Sequence, residues 1–435
     1  MNTKYLIIGN SAGGIGAAEA IHQIDRNGTL TMISDEPYPA YSRPAISHYL
    51  AGECLLEGML FRPADFYEKN SINALLGQKG IHLDLAGRKA KLDNSQVIAW
   101  GKLLLATGGS PIVPAIKGSD RPGVFTFTTL DDAKGIRKVL DGVGQAVVIG
   151  GGLIGVSVAE ALTKCGLKVV IVEMKDRVLN TILDERGSSI VAERLNKAGL
   201  RIVTGRTVSE IWGIKDDGAV KGVTLDNGED IPCGLVVMAI GVTPRLELVK
   251  GSQMKLNRGI VVDHHMATSI SGVYACGDVA EAYDVVYGAN RLTPIWPNAY
   301  LGGKVAGSNM AGVEASYTSG TSMNSLNYFG LAMISAGLVT PPNGDYEVLS
   351  REYGQSYRKL VLKGDRLAGM VFVGDIEASG IFFNLLKDGV GVADFKRSLL
   401  EVDFGLACLP SVLREKRLGM PYKPPVSEPV MVSSS

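Results

Sequence analysis

The sequence predicts an α/β protein built from several domains. Its length of 435 residues corresponds to roughly three domains of about 150 residues each. A pattern of apolar strand, glycine-rich turn, helix and second apolar strand occurs twice, with the first turn beginning at Gly9 and the second at Gly150. Near Asn324 this pattern gives way to alternating strands, which are typical of a separate α+β domain.

The composition disfavours several classes of protein. Lys plus Arg and Asp plus Glu each number 44, so there is no net charge to favour nucleic acid or an anionic membrane surface. No apolar run reaches the roughly 18 uninterrupted residues that a membrane-spanning helix requires. The five cysteines are scattered and form no C-x-x-C pair, so we expect no metal site and a location in the reducing cytoplasm.

The first β-α-β unit lies at the start of the chain. Its turn comprises Gly9, Asn10, Ser11, Ala12, Gly13 and Gly14. A helix is predicted over Ile15–Ile24 and a second strand over Leu30–Ile33. The turn has the setting of a dinucleotide phosphate site in which Ser11 replaces the usual second glycine. Asp35 and Glu36 follow at the distance expected of a ribose-binding carboxylate, and the sequence leaves open which of them binds it.

The second unit carries the complete G-x-G-x-x-G motif. This turn comprises Gly150, Gly151, Gly152, Leu153, Ile154 and Gly155. It lies between a predicted strand over 146–149 and a predicted helix over Val156–Lys164. Gly150 allows a tight turn, Gly152 lets a pyrophosphate approach the backbone, and Gly155 lets helix and strand pack closely. Glu173 closes the next strand and can accept both ribose hydroxyls while repelling a 2′-phosphate, which predicts NADH rather than NADPH.

Two such units in one chain suggest one bound flavin dinucleotide and one exchangeable nicotinamide dinucleotide. Two predicted strands, at 103–109 and 236–241, each run into glycine and indicate where the chain passes from one nucleotide-binding domain to the other. A further strand ends at Gly277 and Asp278, and the carboxylate of Asp278 can accept a ribityl hydroxyl. Pro297 can start a helix whose N-terminal dipole favours the negative charge of a reduced flavin.

These residues together resemble the FAD- and NAD-dependent pyridine-nucleotide oxidoreductases, and more narrowly the ferredoxin/rubredoxin reductase and nitrite-reductase flavoprotein branch. The resemblance covers roughly residues 4–420. Residues 41–48, YSRPAISH, are similar to the Y-x-R-P-P-L-S-K of that branch, and residues 106–108 match its A-T-G. The segments NYFG at 327–330 and VGDI at 373–376 are similar to flavin subunits that pair with small iron–sulfur proteins in anaerobes, including those serving carbon monoxide dehydrogenases.

The resemblance implies two Rossmann-like dinucleotide-binding domains, with the NAD domain inserted in a split FAD domain, plus a C-terminal α+β interface domain. We therefore expect the FAD domain at 1–112 and 242–318, the NAD domain at 113–241, the interface domain at 319–419 and a flexible tail at 420–435. The implied cofactors are FAD and NAD(H). The implied partner is a ferredoxin-like iron–sulfur electron-transfer protein, with the chain forming a homodimer or part of a larger redox complex.

The resemblance also assigns residues to the site. It implies that Arg43 and Pro44 lie against the flavin and that Trp296 lies near its pyrimidine side. The motifs and the resemblance together predict the following cofactor-binding residues: Gly9, Ser11, Ala12, Gly13, Gly14, Asp35, Glu36, Arg43, Pro44, Ala106, Thr107, Gly108, Gly150, Gly152, Leu153, Ile154, Gly155, Glu173, Gly241, Gly277, Asp278 and Trp296.

Two departures from that branch occur together. His48 stands where the branch usually has Lys, and Ser157 stands where G-L-I-G-x-E has Glu. In relatives these two residues form an ion pair beside the flavin N5. We hypothesise that His48 and Ser157 are the catalytic positions and form a neutral hydrogen-bonded pair that alters how the nicotinamide is gated; the alternative for His48 is a plain surface or packing residue.

The predicted activity is that of an FAD-containing NADH:acceptor oxidoreductase that exchanges hydride with NADH and single electrons with an iron–sulfur protein. The cysteines that disulfide reductases of this superfamily need beside the flavin are absent, which disfavours thiol and disulfide substrates. Two alternatives stay open. One is an NADH oxidase that produces hydrogen peroxide, and the other is an NADH-sensing flavoprotein scaffold, for which slow hydride transfer would be suitable.

Overall fold

The computed structural model describes residues 1–214, 218–318 and 320–419. The predicted flexible tail at 420–435 lies outside the described residues. Within them, no helix is both long and apolar enough to cross a membrane. The chain forms two parallel-sheet units followed by an antiparallel sheet, and the predicted α/β fold class is confirmed.

The first unit is built on a mixed sheet with the order β3-β2-β1-β6-β5-β4. Its strands are β1 (Asn2–Ile8), β2 (Leu30–Ser34), β3 (Ile72–Leu76), β4 (Gly80–Asp84), β5 (Lys89–Leu92) and β6 (Val97–Leu105). Its helices are α1 (Ala12–Ile24), α2 (Ile46–Leu50), α3 (Leu56–Met59) and α4 (Phe66–Lys69). β1 pairs in parallel with β2 and β6, and β1 and β2 are mostly buried, as expected of central parallel strands that are covered on both faces.

The second unit is an insertion between the two halves of the first. The strand β7 (Gly109–Pro111) leads out of the first unit. The elements of the second unit are β8 (Val124–Thr126), α5 (Leu130–Val139), β9 (Gln145–Ile149), α6 (Leu153–Lys164), β10 (Lys168–Glu173), α7 (Glu185–Lys197), β11 (Arg201–Thr204), β12 (Val208–Gly213), β13 (Val220–Leu225), β14 (Asp230–Pro232) and β15 (Leu235–Met238). A parallel sheet has the order β11-β10-β9-β15-β8, and β12, β13 and β14 form a small antiparallel sheet beside it.

The chain then returns to the first unit. The returning elements are β16 (Val242–Pro244), β17 (Ile260–Val261), β18 (Val273–Ala275), β19 (Ala280–Asp284), β20 (Ala289–Leu292) and α8 (Trp296–Met310). β16 pairs antiparallel with β7, and β18 pairs in parallel with β6. Helix α8 packs backbone to backbone on α1, since a Cβ on Gly303 would lie 2.0 Å from the carbonyl oxygen of Gly13.

The C-terminal unit is an antiparallel sheet with the order β21-β22-β25-β24-β23. Its elements are β21 (Met323–Tyr328), β22 (Leu331–Gly337), β23 (Tyr346–Tyr353), β24 (Ser356–Lys363), β25 (Arg366–Val373), α9 (Ser379–Lys387) and α10 (Ser411–Leu418). One face of the sheet packs on the inserted unit, where Tyr328 and Val371 share a core with Val178 and Leu183. The other face packs on α9. The sheet therefore covers part of the second glycine-rich unit.

Candidate functional site

A cavity of about 1700 Å³ is lined by both glycine-rich turns and by the strand β21. The predicted site residues line it with three exceptions, which are Gly14, Glu36 and Gly155. Two of these exceptions have a packing reason. A Cβ on Gly14 would lie 1.9 Å from the carbonyl oxygen of Gly9, and a Cβ on Gly155 would lie 1.9 Å from that of Gly150. Both glycines therefore allow their helix to pack against its own turn.

The two turns present helix N-termini to the cavity. Helices α1 and α6 begin after Ser11 and Gly152, and neither residue caps its helix with a side-chain hydrogen bond. The first amide groups of each helix are thus available for a phosphate. A Cβ on Gly152 would meet no atom within 4 Å, so there is open space beside this backbone. These features fit two dinucleotides, one at each turn.

The structure distinguishes the two carboxylates after β2. Asp35 lines the cavity and its Oδ2 lies 2.8 Å from the Nη1 of Arg245. Glu36 does not line the cavity, because its carboxylate accepts hydrogen bonds from the hydroxyl of Tyr41 and the guanidinium of Arg43. Glu36 thus holds Arg43 in place, while Asp35 lies at the wall of the cavity.

Glu173 is held at the wall of the cavity by backbone donors. Its side chain is buried, with Oε2 accepting from the amide of Gly151 at 2.6 Å and Oε1 from the amide of Lys175 at 2.7 Å. A carboxylate has about four acceptor positions, so each oxygen can still accept a ribose hydroxyl. The carboxylate is fixed within the glycine-rich turn, as recognition of a ribose at this turn requires.

The far wall contains Cys276, Asp278 and Trp296. Burial raises the pKa of the Cys276 thiol to about 12, and its sulfur packs against Gly13. Cys276 is therefore an inert packing residue. Burial also raises the pKa of Asp278, although the charge of Arg43 opposes this. The ring of Trp296 packs edge-to-face on that of Phe61, with 5.0 Å between the ring centroids.

The prediction that His48 and Ser157 form a hydrogen bond with each other is wrong. Nδ1 of His48 lies 2.6 Å from Oε2 of Glu53, a residue five positions along the chain. The hydroxyl of Ser157 lies 3.0 Å from the hydroxyl of Tyr328, which projects from β21 of the C-terminal unit. Both His48 and Ser157 line the cavity, but each is paired with a different part of the molecule.

Sequence reasoning missed a charged network beside these residues. Oε1 of Glu53 lies 2.8 Å from Nζ of Lys164, which lies 3.4 Å from Oε1 of Glu160. Glu160 is 9% exposed, and its Oε1 accepts a hydrogen bond from the backbone N–H of Phe329, with 2.8 Å between the nitrogen and the oxygen. Hydrogen bonds from Lys164 and then His48 lower the pKa of Glu53. The network thus links α2, α6 and the tip of the β21–β22 hairpin.

Part of this network had a sequence signal. Glu160 and Lys164 are four residues apart on a helix predicted over Val156–Lys164, the spacing at which side chains meet. No local pattern could predict the contact between Ser157 and Tyr328, which are 171 residues apart. Among the residues that the structure describes, no cluster of three or more His, Cys, Asp or Glu side chains could bind a metal.

Comparison with known proteins identifies similar families. Residues 3–301 match the model for pyridine nucleotide-disulphide oxidoreductases, and residues 323–390 match the rubredoxin NAD+ reductase C-terminal domain. The chain is 32% identical to the NADH-dependent phenylglyoxylate dehydrogenase subunit epsilon of Aromatoleum evansii, over 88% of this chain and 91% of the relative. It is 29% identical to the NADH-rubredoxin oxidoreductase of Clostridium acetobutylicum, over 86% and 92% of the two chains.

A solved structure shows the same similarity. The ferredoxin reductase for the CYP199A2 system of Rhodopseudomonas palustris superposes with a TM-score of 0.81 at 28% identity, over 88% of this chain and 94% of that chain. Longer relatives also match. The chain spans about half the length of two Bacillus subtilis proteins, covering 48% of a nitrite reductase [NAD(P)H] and 51% of an assimilatory nitrate reductase electron transfer subunit.

Proposed function

The chain belongs to the pyridine nucleotide-disulphide oxidoreductase family, and we propose that it carries electrons from NADH through a bound FAD to an iron–sulfur protein. The predicted cofactors, FAD and NAD(H), are confirmed, as are the enzyme class and an iron–sulfur electron-transfer partner. The observation that carries this proposal is that both phosphate-binding turns line one cavity. Two dinucleotides bound there can exchange hydride directly, without a separate catalytic acid or base.

The residues of this chain bind and orient the two dinucleotides. We assign the turn beginning at Gly9 to FAD and the turn beginning at Gly150 to NADH. Asp35 is the ribose ligand of FAD, because it lines the cavity and Glu36 does not. Glu173 is the ribose ligand of NADH, because its carboxylate is fixed beside the amide of Gly151. When bound, the flavin accepts hydride from NADH and passes electrons on singly.

The proposal also covers how the chain assembles with other subunits and where in the cell it acts. The name of one relative as a subunit supports a role within a larger redox complex, and a homodimer is the alternative assembly. We place the protein in the cytoplasm, because its five cysteines are free. We retain as a proposal the divisions after residues 112 and 241, which bound the inserted unit, and the division after residue 318, which precedes the C-terminal unit.

An anaerobic titration of the flavin-loaded protein tests this function. NADH should bleach the flavin absorbance band rapidly, and NADPH should do so far less effectively because Glu173 repels the 2′-phosphate. Oxidised rubredoxin or ferredoxin should then restore the band much faster than oxygen does. Fast reoxidation by oxygen with release of hydrogen peroxide would instead favour an NADH oxidase, and a slowly formed, long-lived reduced complex would favour a sensor or scaffold.

The choice between Asp35 and Glu36 has its own test. Asp35→Asn should weaken retention of FAD during gel filtration, because a ribose hydroxyl loses a charged acceptor. Glu36→Gln is the matched variant. It should retain FAD better than Asp35→Asn, since Glu36 contacts Tyr41 and Arg43 rather than the cavity. Equal loss of FAD from both variants would contradict the assignment.

A further inference from the structure

The proposed reaction leaves one proton to be removed from the site. A hydride carries two electrons and one proton, whereas an iron–sulfur cluster accepts one electron and takes no proton. For each NADH oxidised, two oxidised clusters are reduced, NAD+ is released, and one proton must pass from the flavin site to water. Histidine is the side chain best suited to carry a proton near neutral pH.

His48 is a histidine at the wall of the cavity, on the short helix α2. Its Nδ1 lies 2.6 Å from Glu53, so Nε2 is the ring nitrogen that remains available to take up a proton. The side chain is 59% exposed and also lines the cavity, so both water and the contents of the cavity can reach it. Helix α2 packs on α5 and on α6, the helix that begins after Gly152 of the second turn.

Glu53 orients this imidazole and is itself held by a second charge. Its other carboxylate oxygen lies 2.8 Å from Nζ of Lys164 on α6. The titratable groups on α2, the segments beside it and the elements packed against it include Arg43, Glu53, Cys54, Glu57, Arg137, Glu160, Lys164 and Cys165.

We propose that His48 is the proton exit of this enzyme and that Glu53 is its positioning residue. The proton that arrives with the hydride leaves the flavin as the two electrons depart, forms an N–H bond at Nε2 of His48, and is then released from Nε2 to water. The electrons go to two iron–sulfur clusters, and NADH is the reductant. This step rests on the proposed function and assigns to His48 a part in the oxidative half of the cycle.

The test separates the two halves of the cycle in the flavin-loaded protein. His48→Gln can still hydrogen-bond to Glu53 but carries no proton near neutral pH. His82→Gln is the matched control, because His82 is exposed on β4 and does not line the cavity. Each protein is bleached anaerobically with NADH and then mixed with ferricyanide, a one-electron acceptor that takes no proton. A pH-indicator dye in weak buffer follows proton release.

His48→Gln is first bleached with NADH and that rate is recorded, so that any effect of the variant on hydride transfer is known separately. Its reoxidation by ferricyanide and the dye signal should both slow by at least about tenfold, as expected when a general base is lost. Added imidazole should restore part of both rates. A quinone that can take hydride from the flavin should reoxidise the variant at nearly the wild-type rate, and His82→Gln should match the wild type throughout.

Wild-type reoxidation and proton release in His48→Gln would overturn the proposal. Equal slowing with ferricyanide and the quinone, without rescue by imidazole, would also overturn it, because His48 would then only support the structure. Failure of the proposed function looks different: the wild type would not be bleached by NADH or would not reduce rubredoxin. Protein reduced with dithionite would still test the oxidative step in that case.

Glu53→Gln tests the positioning role by its pH profile. The amide keeps a hydrogen-bonding group beside His48 but removes the negative charge. The pH profile of ferricyanide reoxidation should therefore differ between Glu53→Gln and the wild type. An unchanged profile would show that Glu53 does not act on His48.

Discussion

Glu160 ties the inserted unit to the C-terminal sheet, and its removal should loosen the tip of the β21–β22 hairpin. Its carboxylate is 2.8 Å from the amide nitrogen of Phe329 and 3.4 Å from Nζ of Lys164. Phe329 has a φ of +48°, a left-handed conformation that is disfavoured for a bulky residue. The hairpin tip therefore depends on this acceptor to hold a strained backbone in place.

The size of the effect follows from the charge on the acceptor. A hydrogen bond to a charged group contributes about 1.5–3 kcal/mol, and removing one partner leaves the other group unsatisfied. Since about 1.4 kcal/mol corresponds to a factor of ten, the Phe329 amide in Glu160→Ala should exchange with solvent about 10- to 150-fold faster. Local exchange is the appropriate measure because a protein of several domains need not unfold in one step.

Hydrogen–deuterium exchange of the flavin-loaded protein, read on peptides that contain Phe329, provides the measurement. Glu160→Gln keeps an oxygen acceptor for the amide and should show a clearly smaller increase than Glu160→Ala. Lys164→Met removes the other partner and should leave the exchange of Phe329 nearly unchanged. Wild-type exchange in Glu160→Ala would refute this reasoning, as would an equal increase in the alanine and glutamine variants.

Three further outcomes follow from the geometry. Burial raises the pKa of Asp184, but hydrogen bonds, including one from Lys359 at 2.9 Å, lower it overall. The stabilisation that ionised Asp184 gives the folded protein is complete above the pKa of about 3.9 that this carboxyl has in the unfolded chain, and it is lost as pH falls through the lower pKa of the folded protein. When the pH is lowered, the free energy of unfolding measured in urea should therefore fall less in Lys359→Met than in the wild type. Cys276, with a pKa of about 12, should resist thiol reagents at pH 8 in the native protein and react in urea. Gly152→Ala should fold normally, because its Cβ would meet no atom within 4 Å, but it should bind NADH poorly, because the methyl group would occupy the space that the pyrophosphate needs. Gly155→Ala should instead lower the melting temperature, because its Cβ would lie 1.9 Å from the carbonyl oxygen of Gly150.

Local features of the fold could be predicted from the sequence. The two glycine turns follow strands and precede helices as expected, although α1 begins at Ala12, three residues before the predicted Ile15. The last residue with an extended backbone is Ser11, so the helix begins within the glycine-rich turn and not after it. The alternating strands expected after Asn324 are present, and β24 and β25 among them are joined by a turn in which Gly364 has a φ of +61°, which glycine adopts without strain.

Contacts between distant segments could not be predicted in the same way. The pairing of His48 with Ser157 rested on two replaced positions, and the structure gives each a different partner. Glu53 is local, but its contact with Lys164 depends on how α2 packs against α6. Tyr328 comes from another unit of the chain. Tertiary packing therefore decides the surroundings of the cavity, while the phosphate-binding turns are decided locally.

The short ribbon formed by β7 and β16 makes the nicotinamide unit a removable cassette. Residues Gly109–Pro111 leave the flavin unit and Val242–Pro244 return to it as paired antiparallel strands. The two ends of the inserted segment are thus neighbours, about 5 Å apart as strands in one sheet are. A different nucleotide-binding module with adjacent ends could be joined at the same two points without stretching the flavin unit. Preference for one reduced nicotinamide could consequently change in evolution by exchange of a whole segment, leaving the flavin contacts intact.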